Sequence, residues 1–441
     1  MINTQVKERL EKEDIINLYS KGCKTADEFT VGMEYERLPI SSSSFNAVSY
    51  YADNGICNFL RQFAKEENWD YITDDYNIIG LKQGHDTLTL EPGCQIELSI
   101  KPEKTIFDIE KKVTCLNKKM NAILEKSNIT LLEYGVSPLS TYKNIDIIPK
   151  KRYEIMAKYL WGILSDVMMR ETAGIQGCFD FESEEDAIEK FKTANKLTPF
   201  ITAMFANSPI RGGVETGYKT FRSLSWLNTD NERCGFACNL DNDFSFEEYI
   251  DTVMESPVIF LNKGGQTINV DGKINFKNYI AKGFEGFEPS IDDYKLHANL
   301  YFPEVRMRNF IEIRNHDCVS MPYAVLAIYK GILYNKHAIN DIRELFKLFT
   351  NRDFTELRYS VPKNALQSQI RGYSTAEIAK EILYIAEKSL IELNTGEEKY
   401  LEPIKELTFK NLCPADIIIR NWNGLWNKDI KRLIKYLKNL S

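Results

Sequence analysis

Histidine is scarce in this chain: His85, His297, His316 and His337 are the only four in 441 residues. So few, so dispersed, they exclude a histidine-rich zinc centre. Cysteine is odd in number and unpatterned. Nine thiols run from Cys23 to Cys413, the closest pair is Cys234 and Cys238, and no C-x-x-C occurs. This is the usage of reduced, scattered thiols rather than of a disulfide framework. No apolar run approaches the ~18 residues of a spanning helix, so a membrane is not an expected partner. No block of like charge exists, and the net charge is only −7, from 56 basic and 63 acidic residues. General affinity for nucleic acid is therefore not expected. A P-loop and a GxGxxG are both missing, so phosphate would have to be met by another architecture. The opening MINTQVKERLEKEDIINLYSKG reads as a polar amphipathic helix over about residues 1–25, neither a signal peptide nor a spanning segment. A cytoplasmic location is expected.

What is present is ordinary in bulk: 43% hydrophobic and 27% charged residues, enough for a large core. With no internal repeat, low-complexity linker or break in composition, the chain reads as one catalytic α+β domain over residues 1–441. A mainly antiparallel sheet is wrapped by helices, and the part over about 322–441 is helical. Pattern places helices over Asp53–Glu67, Glu103–Ser127, Arg152–Met169 (with Trp161 and Leu164 buried), Glu184–Asn207 (broken near Pro199), Pro322–Leu348, Ser374–Leu393 and Asp416–Leu440. The segment Gly272–Ser290 reads as a flexible insertion.

Three strand-like stretches carry the chemistry. In Asn309–Arg314, Glu312 and Arg314 share one face and Ile311 and Ile313 the other, because strand side chains alternate. In Phe29–Ile40, Glu34 and Glu36 share a face about 6–7 Å apart. In Leu88–Pro102, bent at Pro92-Gly93, Glu91 and Glu97 have the same parity. Each stretch alone is compatible with a solvated face or a structural ion pair. Together they describe one sheet lining a polar cavity. So many carboxylates cannot crowd together ionised without cations, and two or three Mg²⁺ ions would match oxygen donors and phosphate chemistry. A fourth strand, Ala173–Phe181, puts Gln176, Cys178 and Asp180 on one face. The glycine-rich stretch from Ser208 holds Arg211, Arg222 and Arg233, compatible with exposed loop arginines or with an anion site.

These residues carry a family resemblance. VGMEYER, LTLEPGCQIELS, RYEIM, FANSP, FRSLSWLNTDNERCG, FPEVRMRNFIEIR and CPADIIIRNWNGLW fall in an order that resembles plant-type glutamate–cysteine ligases, from about residue 30 to 435. The resemblance implies a glutamine-synthetase-like fold whose curved sheet lines a funnel-shaped site. It implies that ATP phosphorylates the γ-carboxylate of L-glutamate and that the amine of L-cysteine attacks the acyl phosphate. Another acceptor amine is the alternative. It further implies Glu34, Glu36, Glu91, Glu97 and Glu312 as metal ligands, and Arg314 at the transferring phosphoryl group. Arg222, Arg233, Gln176 and Trp226 are implied around substrate or ATP, in a monomer or homodimer. Glu312→Gln is then expected to lose turnover while the fold stays intact. One departure stands out: in MMRETAGIQG, Met168–Gly177, an arginine comes one place early and Glu171 takes its usual position.

Overall fold

The computed structural model describes residues 10–440. The first nine residues, on which part of the expected N-terminal helix falls, lie outside the described residues. The helix that is described is α1 (Lys12–Ser20). The fold centres on a nine-stranded sheet: β1 (Val31–Ser41), β2 (Asp70–Asp74), β3 (Asn77–Gln83), β4 (Asp86–Leu90), β5 (Ile96–Glu103), β6 (Ile129–Leu132), β7 (Gly174–Phe179), β8 (Val305–Met307) and β9 (Ile311–Asp317). Its order is β8-β9-β7-β1-β5-β4-β3-β2, with β6 pairing the far end of β1. Every pairing in it is antiparallel. The architecture is thus α+β, as the alternating strands and helical stripes require.

The pleat separates two faces. Val31, Met33 and Tyr35 of β1, Ile175 and Phe179 of β7, Leu98 of β5, and Ile311 and Ile313 of β9 are buried on the core side. They pack against α3 (Ile106–Lys126) and the helix Pro322–Leu333. That helix is buried on all sides rather than amphipathic, and the run expected to continue to Leu348 is interrupted at Asn335, which caps a second helix, Lys336–Phe346. The other face carries the acidic residues. It is covered by α4 (Lys151–Tyr159), α5 (Ser165–Glu171) and α7 (Phe221–Leu227). Helix α2 (Ile56–Glu67) buries Ile56, Leu60 and Phe63 as its spacing requires.

Four sequence expectations change. Arg152–Met169 is two helices. The chain turns extended at Leu160, Gly162 presses on the Thr229 carbonyl, and the Leu164 N–H donates to Asn228. Trp161, expected inside, is 88% exposed. The helix α6 (Glu184–Met204) runs unbroken through Pro199. Proline has no N–H for the Asn195 carbonyl, but the Thr198 hydroxyl donates to that carbonyl at 2.9 Å instead. The expected insertion contains an ordered helix, Phe276–Lys282, with Phe276 and Tyr279 buried. The C-terminal run divides into Pro414–Asn423 and Ile430–Lys438.

Candidate active site

The antiparallel register assembles the acidic groups in rows. Glu34 stands opposite Ser99 on one side and Gln176 on the other, and Glu36 stands opposite Glu97. Glu312 stands opposite Cys178 in β7 and Arg306 in β8. Glu91 follows β4 at the turn that leads to β5. There the Gly93 N–H donates to the Gln95 amide oxygen, and that amide donates to the carbonyls of Met169 and Thr172. A Cβ on Gly93 would meet the Arg170 carbonyl at 2.3 Å, so only glycine lets this turn approach α5.

Glu34, Glu36, Glu91, Glu97, Gln176, Arg152, Arg222, Arg306, Arg314 and Trp226 line one cavity of about 190 Å³, walled on its apolar side by Met156, Met168, Met169 and Phe302. Burial pushes Glu34 up to about 7, and the Glu312 carboxylate adds to the push. Burial also raises Glu36, against the opposing charge of Arg222. Glu97 is raised well above the ordinary range by burial and then by Glu34. Such groups resist ionising where they stand. The donor set is all oxygen, which fits a hard divalent cation and not zinc. Among the described residues no three ligating groups already converge on one point, so carboxylate rotamers would close around an ion.

Glu312 differs. It is buried, but not on the cavity wall. Arg306 grips it with Nε at 2.8 Å and Nη2 at 2.9 Å. Arg314 Nη1 adds 2.7 Å contacts to Glu312 and to Gln176. Burial alone would raise this carboxyl, but Arg306 and Arg314 outweigh it and hold it near 2. Glu312→Gln takes the counter-charge from a buried guanidinium, so a loss of stability is expected beside the loss of turnover.

Arg222 is fully buried rather than a surface loop arginine. Gly174 leaves it room, since a Cβ there would meet Nη2 at 2.3 Å. Its Nη2 donates to the Arg314 carbonyl at 3.0 Å, whereas Nε and Nη1 have no acceptor among the described residues. Arg152 Nε and Trp226 Nε1 are likewise buried donors without an acceptor. Unpaired buried donors are costly; all three residues line the cavity, although the unpaired atoms themselves are closed off from it. Arg233 is not brought to the cavity. It is buried, pairs with Asp230, and donates to the carbonyls of Leu300 and Pro257. This corrects its assignment to substrate.

Sequence reasoning missed Arg152, Arg306 and Tyr153. Tyr153 places its hydroxyl 3.1 Å from Glu91, and Lys150 donates to that hydroxyl at 3.2 Å. Arg306 gave as a signal only its place in FPEVRMRNFIEIR, six residues before Glu312; the hairpin register that sets the two opposite each other is left open by the sequence. Arg152 gave only its place in RYEIM as a signal.

An antiparallel sheet with an all-oxygen acidic floor beneath arginines suits an enzyme that handles phosphoryl groups. The chain belongs to glutamate–cysteine ligase family 2 (GCS2), whose model matches residues 30–436. It is 31% identical over 443 residues to glutamate–cysteine ligase B, chloroplastic, of Oryza sativa subsp. japonica, covering 98% of this chain and 88% of that protein. It is 31% identical over 440 residues to the chloroplastic glutamate–cysteine ligase of Arabidopsis thaliana, covering 98% and 83%. A crystal structure of glutamate–cysteine ligase from Francisella tularensis in complex with AMP superposes with a TM-score of 0.59 at 13% identity, covering 94% of this chain and 87% of that one. This second likeness establishes the fold. The expected cytoplasmic location is withdrawn, because the plant relatives are chloroplastic proteins. Among the described residues no helix is long and apolar enough to cross a membrane.

Proposed function

We propose that this chain is an ATP-dependent ligase that joins the γ-carboxylate of L-glutamate to the amine of L-cysteine, the first step of glutathione synthesis. Its products are γ-glutamylcysteine, ADP and phosphate. The carrying observation is the opposition, in one cavity, of the carboxylates Glu34, Glu36, Glu91 and Glu97 to the arginines Arg152, Arg222, Arg306 and Arg314. Phosphorylating a carboxylate brings two anionic groups together, and such a site offers charge for both.

Arg222 and Arg152 hold a substrate carboxylate, and Trp226 walls the pocket beside them. Arg314 faces the phosphoryl group as it passes to the γ-carboxylate oxygen and ADP departs. Gln176 and Glu312 keep that guanidinium aimed, through the contacts given above. Met156, Met168, Met169 and Phe302 keep water from the acyl phosphate. The amine then attacks its carbonyl carbon, the C–N bond forms, and phosphate leaves. Glu34, Glu36, Glu91 and Glu97 would hold two or three Mg²⁺ ions, with Glu312 as a further ligand if it releases one arginine contact. Bound there, Mg²⁺ supplies neutralisation of phosphate charge.

The test is ADP release by the full chain, assayed with Mg²⁺, L-glutamate and a panel of amines, with products identified by mass. Release that requires glutamate and cysteine together is the expected result. Release with a different amine, and none with cysteine, would move the reading to another γ-glutamyl ligase.

A further inference from the structure

Arg211 and Glu171 lie outside the cleft but tie together two of its walls. Glu171 is the last residue of α5, whose Met168 and Met169 face the cavity, and it precedes Thr172, which also faces it. Its own carboxylate is completely buried. Arg211 grips that carboxylate with Nε at 2.6 Å from Oε2 and Nη2 at 2.8 Å from Oε1. The Tyr142 N–H donates to Oε1 at 2.6 Å. The same guanidinium lies 5.2 Å over the ring of Phe221. Phe221 opens α7 and directly precedes Arg222. One side chain therefore spans from the methionine wall to the wall that carries Arg222 and Trp226. Burial raises the Glu171 carboxyl while Arg211, bound to it at two points, opposes the rise.

We propose that the Glu171–Arg211 pair is a positioning device that fixes the separation of α5 from α7 and thereby sets the affinity for the amino-acid substrate held between them. For the identity of that substrate, L-glutamate, the inference rests on the proposed function. Neither residue touches the cavity, so both act through others. A planar fork bound at two points is stiff in a way that a lysine contact is not. A displacement of one wall by about 1 Å is enough to change binding substantially.

The experiment is steady-state ADP release at varied L-glutamate for the full chain, Arg211→Lys, Glu171→Gln and the double variant, with the Tm of each. The glutamate KM is expected to rise about tenfold in each single variant, with kcat little changed. The double variant is expected to be no worse than the poorer single one, because both remove the same contact. If Glu171→Gln fails to fold, Arg211→Lys keeps the buried charge and carries the test. A lower Tm with an unmoved KM in folded Arg211→Lys would mean a merely structural pair and would overturn the proposal. Failure of the functional reading looks different, since the wild-type chain would itself release no ADP with glutamate.

Discussion

Glu34 and Glu312 stand on strands separated only by β7, on the same face of one sheet, yet their environments drive them apart. Burial and the Glu312 charge lift Glu34 to about 7. Glu312 is the more deeply buried of the two, but Arg306 and Arg314 bring it down to about 2. The β1–β5 half of the floor, with Glu34, Glu36 and Glu97, has carboxylates in excess of the positive charge around them. The β8–β9 edge has its charge already matched by protein. The first half invites cations, and the second aims guanidinium groups. On the proposed function a single type of residue would thus serve two roles, decided by what faces it.

The largest effect expected from breaking this contrast is at the matched edge. Glu312→Gln leaves Arg306 buried with half its partner, so stability falls by about 3–5 kcal/mol. Turnover per folded molecule falls by about 10²–10³-fold, because Arg314 loses its anchor and a candidate metal ligand goes with it. Unfolding curves and ADP release on the same preparation separate the two losses. Wild-type turnover in the variant would sink the assignment of this edge. Next comes Arg222→Lys, which keeps the charge beside Glu36 but loses the forked donors. The glutamate KM is expected to rise about tenfold to a hundredfold, the cost of charge-assisted hydrogen bonds, and an unchanged KM would remove Arg222 from the substrate.

How far the contrast was legible in the sequence depends on which contacts it needed. Alternation within one strand placed Glu34 with Glu36, and Glu312 with Arg314, on common faces, since the period of two is local. The shared cavity followed from counting carboxylates against repulsion. The opposite charge states did not follow, because the matching cation, Arg306, reaches Glu312 across a hairpin whose register the sequence leaves open. Arg222 and Arg233 looked alike in a glycine-rich stretch. Only the fold shows that Arg222 lines the cavity while Arg233 lies away from it and donates to the carbonyls of Leu300 and Pro257. Trp161 was misplaced because a helical stripe cannot reveal that the chain breaks at Leu160.

The unmatched half is sharpened by pH. Glu34 has a folded-state pKa raised from 4.5 to about 7. Its neutral form therefore favours the fold fully below about 4.5, and that contribution fades as pH rises through about 7. In metal-free protein it amounts to about 3 kcal/mol. Denaturant midpoints measured from pH 4.5 to 7.5 are expected to fall with pH in the wild type and to fall less in Glu34→Gln. Added Mg²⁺ is expected to flatten the wild-type slope if cations bind the ionised floor. Equal slopes in the two proteins would show that Glu34 does not carry this titration.

The smallest effect on chemistry is expected at Arg233, which tests the boundary of the site. Its guanidinium joins the loop before Phe302 to Leu300, Pro257 and Asp230, and Phe302 is on the cavity wall. Lysine at this position can reach one of those carbonyls but not all, so stability is expected to fall by about 1–3 kcal/mol. Because the carbonyls belong to a scaffold around the cavity, glutamate KM and kcat of the folded protein are expected to stay near wild type in Arg233→Lys. A large rise in KM without loss of Tm would return Arg233 to the substrate, where its motif alone had placed it.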